Sequence, residues 1–127
     1  MLRLIAIGAA LGGAGCTSIA PPPPITGGEW RVTAINGRVT PPLTASYRMT
    51  FEPRSLGGQF GCNHFGGDYR VSGDVLTTGA VAMTEMACDG PASSFESWGL
   101  AIIQRPMRLE WVSASRITLT NEDDAAA

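Results

Sequence analysis

Residues 57–88 read GGQFGCNHFGGDYRVSGDVLTTGAVAMTEMAC, and their side chains follow the two-residue period of a β-strand rather than the period of a helix. Gly57-Gly58 reads as a turn into Gln59–Cys62, where Phe60 and Cys62 share a face. Tyr69-Arg70-Val71 and Val75-Leu76-Thr77-Thr78 flank Ser72-Gly73-Asp74, which predicts a hairpin. AVAMTEMAC, residues 80–88, then reads as a strand with Thr84, Met86 and Cys88 on one side and Glu85 on the other. A central run of this kind commits the chain to a mainly β fold.

The same rhythm extends in both directions. Upstream, Trp30, Val32 and Ala34 alternate with Arg31 and Thr33 before Asn36-Gly37, the strongest short hairpin signal. Tyr47, Met49 and Phe51 alternate with Arg48, Thr50 and Glu52. Downstream, Met107, Leu109 and Trp111 form one alternating strand, and Ile117 and Leu119 another. One segment breaks the pattern. In PASSFESWGLAIIQR, residues 91–105, Phe95, Trp98 and Ile102 recur at helical spacing, with Ser94, Ser97, Ala101 and Gln104 opposite. Pro91 suits a helix start, Ser93 and Glu96 fit a capping box, and Pro106 stops the helix. Short strands with one helix predict a small antiparallel β-barrel or curled sheet that the helix closes on one side.

The chain has 127 residues, room for one domain. Gly and Pro together supply 25 residues, too few for a disordered low-complexity chain, and 44% hydrophobic with 16% charged residues fits a packed core. A net charge of −2 gives no electrostatic footprint for nucleic acid. Three cysteines are an odd number, which leaves one unpaired in an exported protein.

The beginning of the chain explains the odd cysteine. MLRLIAIGAALGGAG, residues 1–15, has one Arg and then an apolar run shorter than the ~20 residues of a membrane-spanning helix. A charged start, a short apolar core and small residues match a secretory signal. Gly13-Ala14-Gly15-Cys16 resembles the bacterial lipoprotein signal, which implies that Cys16 is acylated and becomes the new N-terminus. Several acyl chains on one Cys give stable anchoring, because each buried CH₂ contributes ~0.8 kcal/mol. Residues 16–28 contain Pro21 to Pro24 and read as an extended spacer that holds the domain off a bilayer. The domain itself spans 29–120, and the tail, 121–127, carries no apolar residue larger than Ala.

Several of these residues also carry a family resemblance. Trp30 on the opening strand, then Gly61, Cys62, Asn63, Gly67 and Tyr69, then Thr84, Met86 and Cys88 before the helix at Phe95 and Trp98 resemble the META/HslJ domain family over residues 28–120. The resemblance implies a small lipocalin-like β-barrel in a bacterial envelope protein, often a lipoprotein, linked loosely to stress responses and without established enzymatic activity. It also implies a disulfide between Cys62 and Cys88, in keeping with an exported chain where such bonds persist. The family pattern ends with a further strand after its Leu-x-Leu strand. Here Ile117-Thr118-Leu119-Thr120 is followed by NEDDAAA, so an open barrel edge is expected.

Little else in the sequence points to chemistry. Cys62 and Cys88 lack the C-x-x-C spacing of a redox pair. His64 is the single histidine and has no serine in a G-x-S-x-G setting, so no hydrolase triad is expected. Asn63, His64 and Asp68 form the candidate binding loop, and neither a metal nor a cofactor is expected. Trp30, Tyr47, Phe51, Met86, Trp98 and Trp111 are bulky enough to fill a barrel interior, which argues against a carrier of apolar ligands. The expectation is a monomeric, non-enzymatic lipoprotein domain facing the periplasm, on the outer membrane. Its partners are membrane lipid, through acylated Cys16, and an envelope protein. The alternative is a small β-barrel inhibitor or apolar-ligand-binding protein of the periplasm.

Overall fold

A computed structural model describes residues 1–7, 25–42 and 46–122. The expected lipidation site Cys16, the prolines of the spacer and residues 123–127 of the tail lie outside the described residues. The chain runs through β1 (Leu2–Ile7), β2 (Glu29–Ile35), β3 (Arg38–Val39), β4 (Tyr47–Phe51), β5 (Ser55–Phe60), β6 (His64–Ser72) and β7 (Val75–Met83). It continues through α1 (Gly90–Ile103), β8 (Met107–Ser113) and β9 (Arg116–Asn121). Eight strands close an antiparallel barrel in the order β1-β9-β8-β7-β6-β5-β4-β2 and back to β1, while β3 extends β2 as a hairpin arm. None of the described helices is long and apolar enough to cross a membrane.

The alternation seen in the sequence places the core. In β2, Trp30, Val32 and Ala34 are buried, and in β4 so are Tyr47, Met49 and Phe51. Ile117 and Leu119 of β9 and Met107 of β8 are fully buried. Asn36 and Gly37 both take positive φ, 55° and 76°, as a two-residue hairpin turn requires. Trp30 meets Trp111 edge to face at 5.8 Å, and its indole N–H donates to the Ile25 carbonyl at 3.0 Å. The barrel interior is therefore filled by its own side chains. Trp98 and Trp111 are half-buried at its margin, but Met86 is not part of the filling: it stands 53% exposed.

Three local expectations are corrected. Gly57 and Gly58 are not a turn but lie inside β5, paired with Thr50 and Met49. A Cβ on Gly58 would lie 3.0 Å from Phe65 Cζ and strike the Arg48 carbonyl, so close approach, not chain reversal, demands the glycine. The strand expected over residues 80–88 stops at Met83. The capping box is not made: the helix N-cap is Asp89, without a side-chain cap, and Glu96 turns elsewhere.

The fourth correction concerns the barrel edge. The edge expected to be open after β9 is covered by β1, which pairs antiparallel with β9 on one side and with β2 on the other. Leu2 and Leu4 point inward and are fully buried, while Arg3 points out. The apolar beginning of the expected signal thus supplies the closing strand.

Candidate functional site

The candidate residues converge where β5 turns into β6 beneath the start of α1. Gly61 takes a φ of 105°, which turns the chain sharply after β5. A Cβ there would lie 2.7 Å from the Tyr47 hydroxyl, so both backbone angle and space require glycine. The turn presents Cys62 to Cys88, and the two are joined in a disulfide with Cα atoms 6.0 Å apart.

Asn63 is the centre of the arrangement and is 3% exposed. Its Oδ1 accepts from the Met86 N–H at 2.7 Å, and its Nδ2 donates to the Met86 carbonyl at 3.3 Å. The side-chain amide thereby stands in for a peptide unit of a neighbouring strand. That explains why β7 ends at Met83 while the chain beyond it stays tethered. Oδ1 also accepts from Thr84 Oγ1 at 3.0 Å, and Thr84 Oγ1 accepts in turn from the His64 N–H at 3.0 Å.

Glu96 closes the network from the helix. Its carboxylate accepts from the Asn63 backbone N–H at 2.6 Å and from Nδ2 at 3.0 Å. Both donors belong to one residue, so the helix is held to the barrel by a fork of charge-assisted bonds. Cys62, Cys88 and Glu96 offer potential metal-ligand atoms within 4.8 Å of one another. The sulfurs are spent in the bridge and the carboxylate is engaged by Asn63, so this donor set does not suit a cation. The far end of α1 is pinned as well. Asn121 Nδ2 donates to the Ile102 carbonyl at 2.8 Å, and Thr78 Oγ1 donates to the Ile103 carbonyl. Midway, Gly99 lets the Phe60 ring lie against the helix, because a Cβ there would strike the ring.

The remaining candidates separate. His64 is exposed at the start of β6, and Asp68 is exposed further along the same strand. Asp68, Tyr69, Arg70 and Thr77–Gly79 border an open cleft of about 190 Å³. A second cleft, of about 180 Å³, lies between β2 and β3 beside Tyr47. Burial raises the pKa of Tyr47 and, with the Glu52 charge beside it, that of Tyr69, whose hydroxyl donates to the Glu52 carbonyl at 2.5 Å. Sequence reasoning found Asn63 but not its partner. Glu96 sits three residues after Ser93, and that local pattern hides a contact made across 33 residues.

The family model described as META domain matches residues 23–127. The chain belongs to the META domain family. No curated protein matches it. Among solved structures, it is similar to an NMR structure of a protein from Burkholderia xenovorans, with 16% identity and a TM-score of 0.60. That match covers 89% of this chain and 92% of the other. It is also similar to a second NMR structure at 18% identity and a TM-score of 0.58, covering 75% of this chain and 89% of that one. At such identities the likeness is one of fold. For the META barrel of this chain, Asn63 and Thr84, flanked by Gly61 and the Cys62–Cys88 bridge, form with Glu96 of α1 a latch between barrel and helix.

Proposed function

We propose that this META domain is a non-enzymatic, membrane-anchored lipoprotein domain of the bacterial cell envelope, acting as a stress-related binding or envelope-integrity module. The observation that carries the reading is the saturation of the polar cluster. Asn63, Thr84 and Glu96 are turned on one another, and the bridge joins Cys62 to Cys88 beside them. A catalytic constellation needs a group aimed at a substrate position, whereas these atoms are aimed at the fold. The filled interior likewise favours contact through the outer surface over carriage of an apolar ligand.

The anchor rests on Cys16 and the small residues before it, with Pro21 to Pro24 as the spacer. The reading is of a monomer facing the periplasm from the outer membrane, with membrane lipid, through acylated Cys16, as one partner and an envelope protein as the other. The test is Cys16→Ala in the full chain. The variant moves from the membrane fraction to the soluble fraction and loses incorporation of a labelled fatty acid. Unchanged fractionation of the variant rejects the anchor.

A further inference from the structure

The strand that closes the barrel comes from the segment that processing before Cys16 would remove. β1 pairs with both neighbours at once. Leu2 stands opposite Ile35 and Leu119, Arg3 opposite Ala34 and Thr118, Leu4 opposite Val32 and Ile117, and Ile5 opposite Arg31 and Arg116. Because β1 is antiparallel to each, β2 and β9 run parallel to one another. Neighbouring strands lie about 4.8 Å apart, so loss of β1 leaves β2 and β9 roughly 10 Å apart, too far to hydrogen-bond. Two rows of backbone N–H and C=O groups and the buried faces of Val32, Ile35, Ile117 and Leu119 then meet water.

We propose that this slot is a strand-acceptor site. In the chain cut before Cys16, it takes an extended segment of another envelope polypeptide, antiparallel to β2 and β9, with the pattern aliphatic-x-aliphatic-acidic. The proposal rests on the lipoprotein reading for the departure of residues 1–15.

The seated segment defines the occupant. Leu2 and Leu4 show that two large aliphatic side chains, two positions apart, fill the inner face. The acidic position follows from the outer face. Arg48 of β4 stands opposite Arg31, and Arg31 and Arg116 stand opposite the two sides of Ile5. Arg48 reaches Glu29 at 3.9 Å, but the residue between Arg31 and Arg116 is an isoleucine. Cross-strand opposite charges attract and like charges repel, so a carboxylate at this position joins two cations that now face an apolar side chain. Residues 16–24, CTSIAPPPP, have one large aliphatic residue and four prolines without N–H groups, and residues 121–127 have no large aliphatic residue. Neither matches the slot. A second processed copy offers β2 and β9 as its open edges, and neither carries an aliphatic-x-aliphatic-acidic run. What remains is strand addition by another polypeptide.

The test uses the full chain with a specific protease site placed within residues 9–14. After cutting, the freed N-terminal segment is exchanged against labelled synthetic peptides and followed by fluorescence anisotropy. Labelled MLRLIAI enters the slot, and the peptide with Leu2→Asp and Leu4→Asp does not. The peptide with Ile5→Glu binds about three- to tenfold more tightly than with Ile5→Gln at low salt, and the gain shrinks as salt rises. Equal binding of all the peptides, or none of MLRLIAI, overturns the acceptor site. In the uncut full chain, Ile5→Glu melts above Ile5→Gln, and the reverse order overturns the acidic preference. Mass analysis of the chain from cells completes the test. Loss of residues 1–15 supports a vacated slot, and their retention overturns occupation by a partner. Peptide exchange does not involve the lipid, so failure of the anchor and failure of the slot are read separately.

Discussion

Replacing Asn63 with Ala tests whether the latch holds helix to barrel. The side chain makes three neutral bonds, through Oδ1 to Met86 and Thr84 and through Nδ2 to the Met86 carbonyl, and one charge-assisted bond to Glu96 through Nδ2. Neutral bonds contribute about 0.5–1.5 kcal/mol each and a bond to a charged group about 1.5–3 kcal/mol. The loss is therefore expected to be about 3–7 kcal/mol, a large share of the ~5–15 kcal/mol that holds a domain together. Glu96, only 9% exposed, is left with the Asn63 backbone N–H alone, which places the cost toward the upper end. For a domain of this size the melting temperature falls by roughly 15 °C or more. Urea unfolding followed by tryptophan fluorescence gives the free energy, and Trp98 on α1 reports the helix directly. A coupling above about 1 kcal/mol between Asn63→Ala and Glu96→Gln is expected from a double-mutant cycle, because the two groups share their bonds. A loss under about 1 kcal/mol, or additive single effects, would refute the latch.

The other expectations concern the bridge, the helix seat, alkaline stability and the anchor already described. Removing the disulfide as the Cys62→Ser, Cys88→Ser pair opens a 26-residue separation, and the chain-entropy estimate gives a loss of roughly 3.5 kcal/mol; an unchanged melt denies the bridge a structural role. Alkylation of the denatured, unreduced chain followed by mass analysis should label neither Cys62 nor Cys88. Gly99→Ala gains ~1 kcal/mol of helix propensity but drives a methyl into the Phe60 ring, so a net loss of about 1–3 kcal/mol is expected in thermal unfolding. A variant as stable as the parent would show that the ring moves aside freely. Because the pKa values of Tyr47 and Tyr69 are raised above their ordinary value of 10.0, the folded chain holds more protons than the unfolded chain as pH climbs past that value. The associated stability is complete below that pH and is lost as pH rises past it. Tyr47→Phe with Tyr69→Phe should flatten the fall, and equal slopes for variant and parent would reject the assignment.

The parts of the fold legible in the sequence were those where one strand face is buried and the other wet. Trp30 and Val32, then Tyr47, Met49 and Phe51, then Ile117 and Leu119 declare their inward parity residue by residue. What escaped depends on neighbours distant in sequence. Gly57 and Gly58 carry no side chain to show parity, and the need for bare backbone arises only once Phe65 folds across Gly58. The parity of Thr84, Met86 and Cys88 is regular, yet an Asn side chain rather than a strand takes up the backbone at Met86. In the candidate site, Asn63 and the two bridging cysteines were readable, while His64 and Asp68 stand exposed and apart from the latch.

On the lipoprotein reading proposed above, residues 2–5 meet two demands, and the two part at one position. A secretory signal needs a positive charge near its start and an apolar run after it, and the order of residues within the run matters little. A barrel strand needs strict parity, because a shift by one residue turns its inward face to solvent. Leu2, Arg3 and Leu4 satisfy both: Arg3 would supply the charge of the signal and is the outward residue of the strand, between two fully buried leucines. Exchanging Leu2 and Arg3 would keep the signal's composition while placing a guanidinium between Ile35 and Leu119 in the core. At Ile5 the demands part. The signal requires an apolar residue there, whereas the outer wall sets that position between Arg31 and Arg116. A strand released from the duty of a signal is free to carry a carboxylate at that point, so under the acceptor-site proposal a partner's segment would match the vacated slot better than the chain's own.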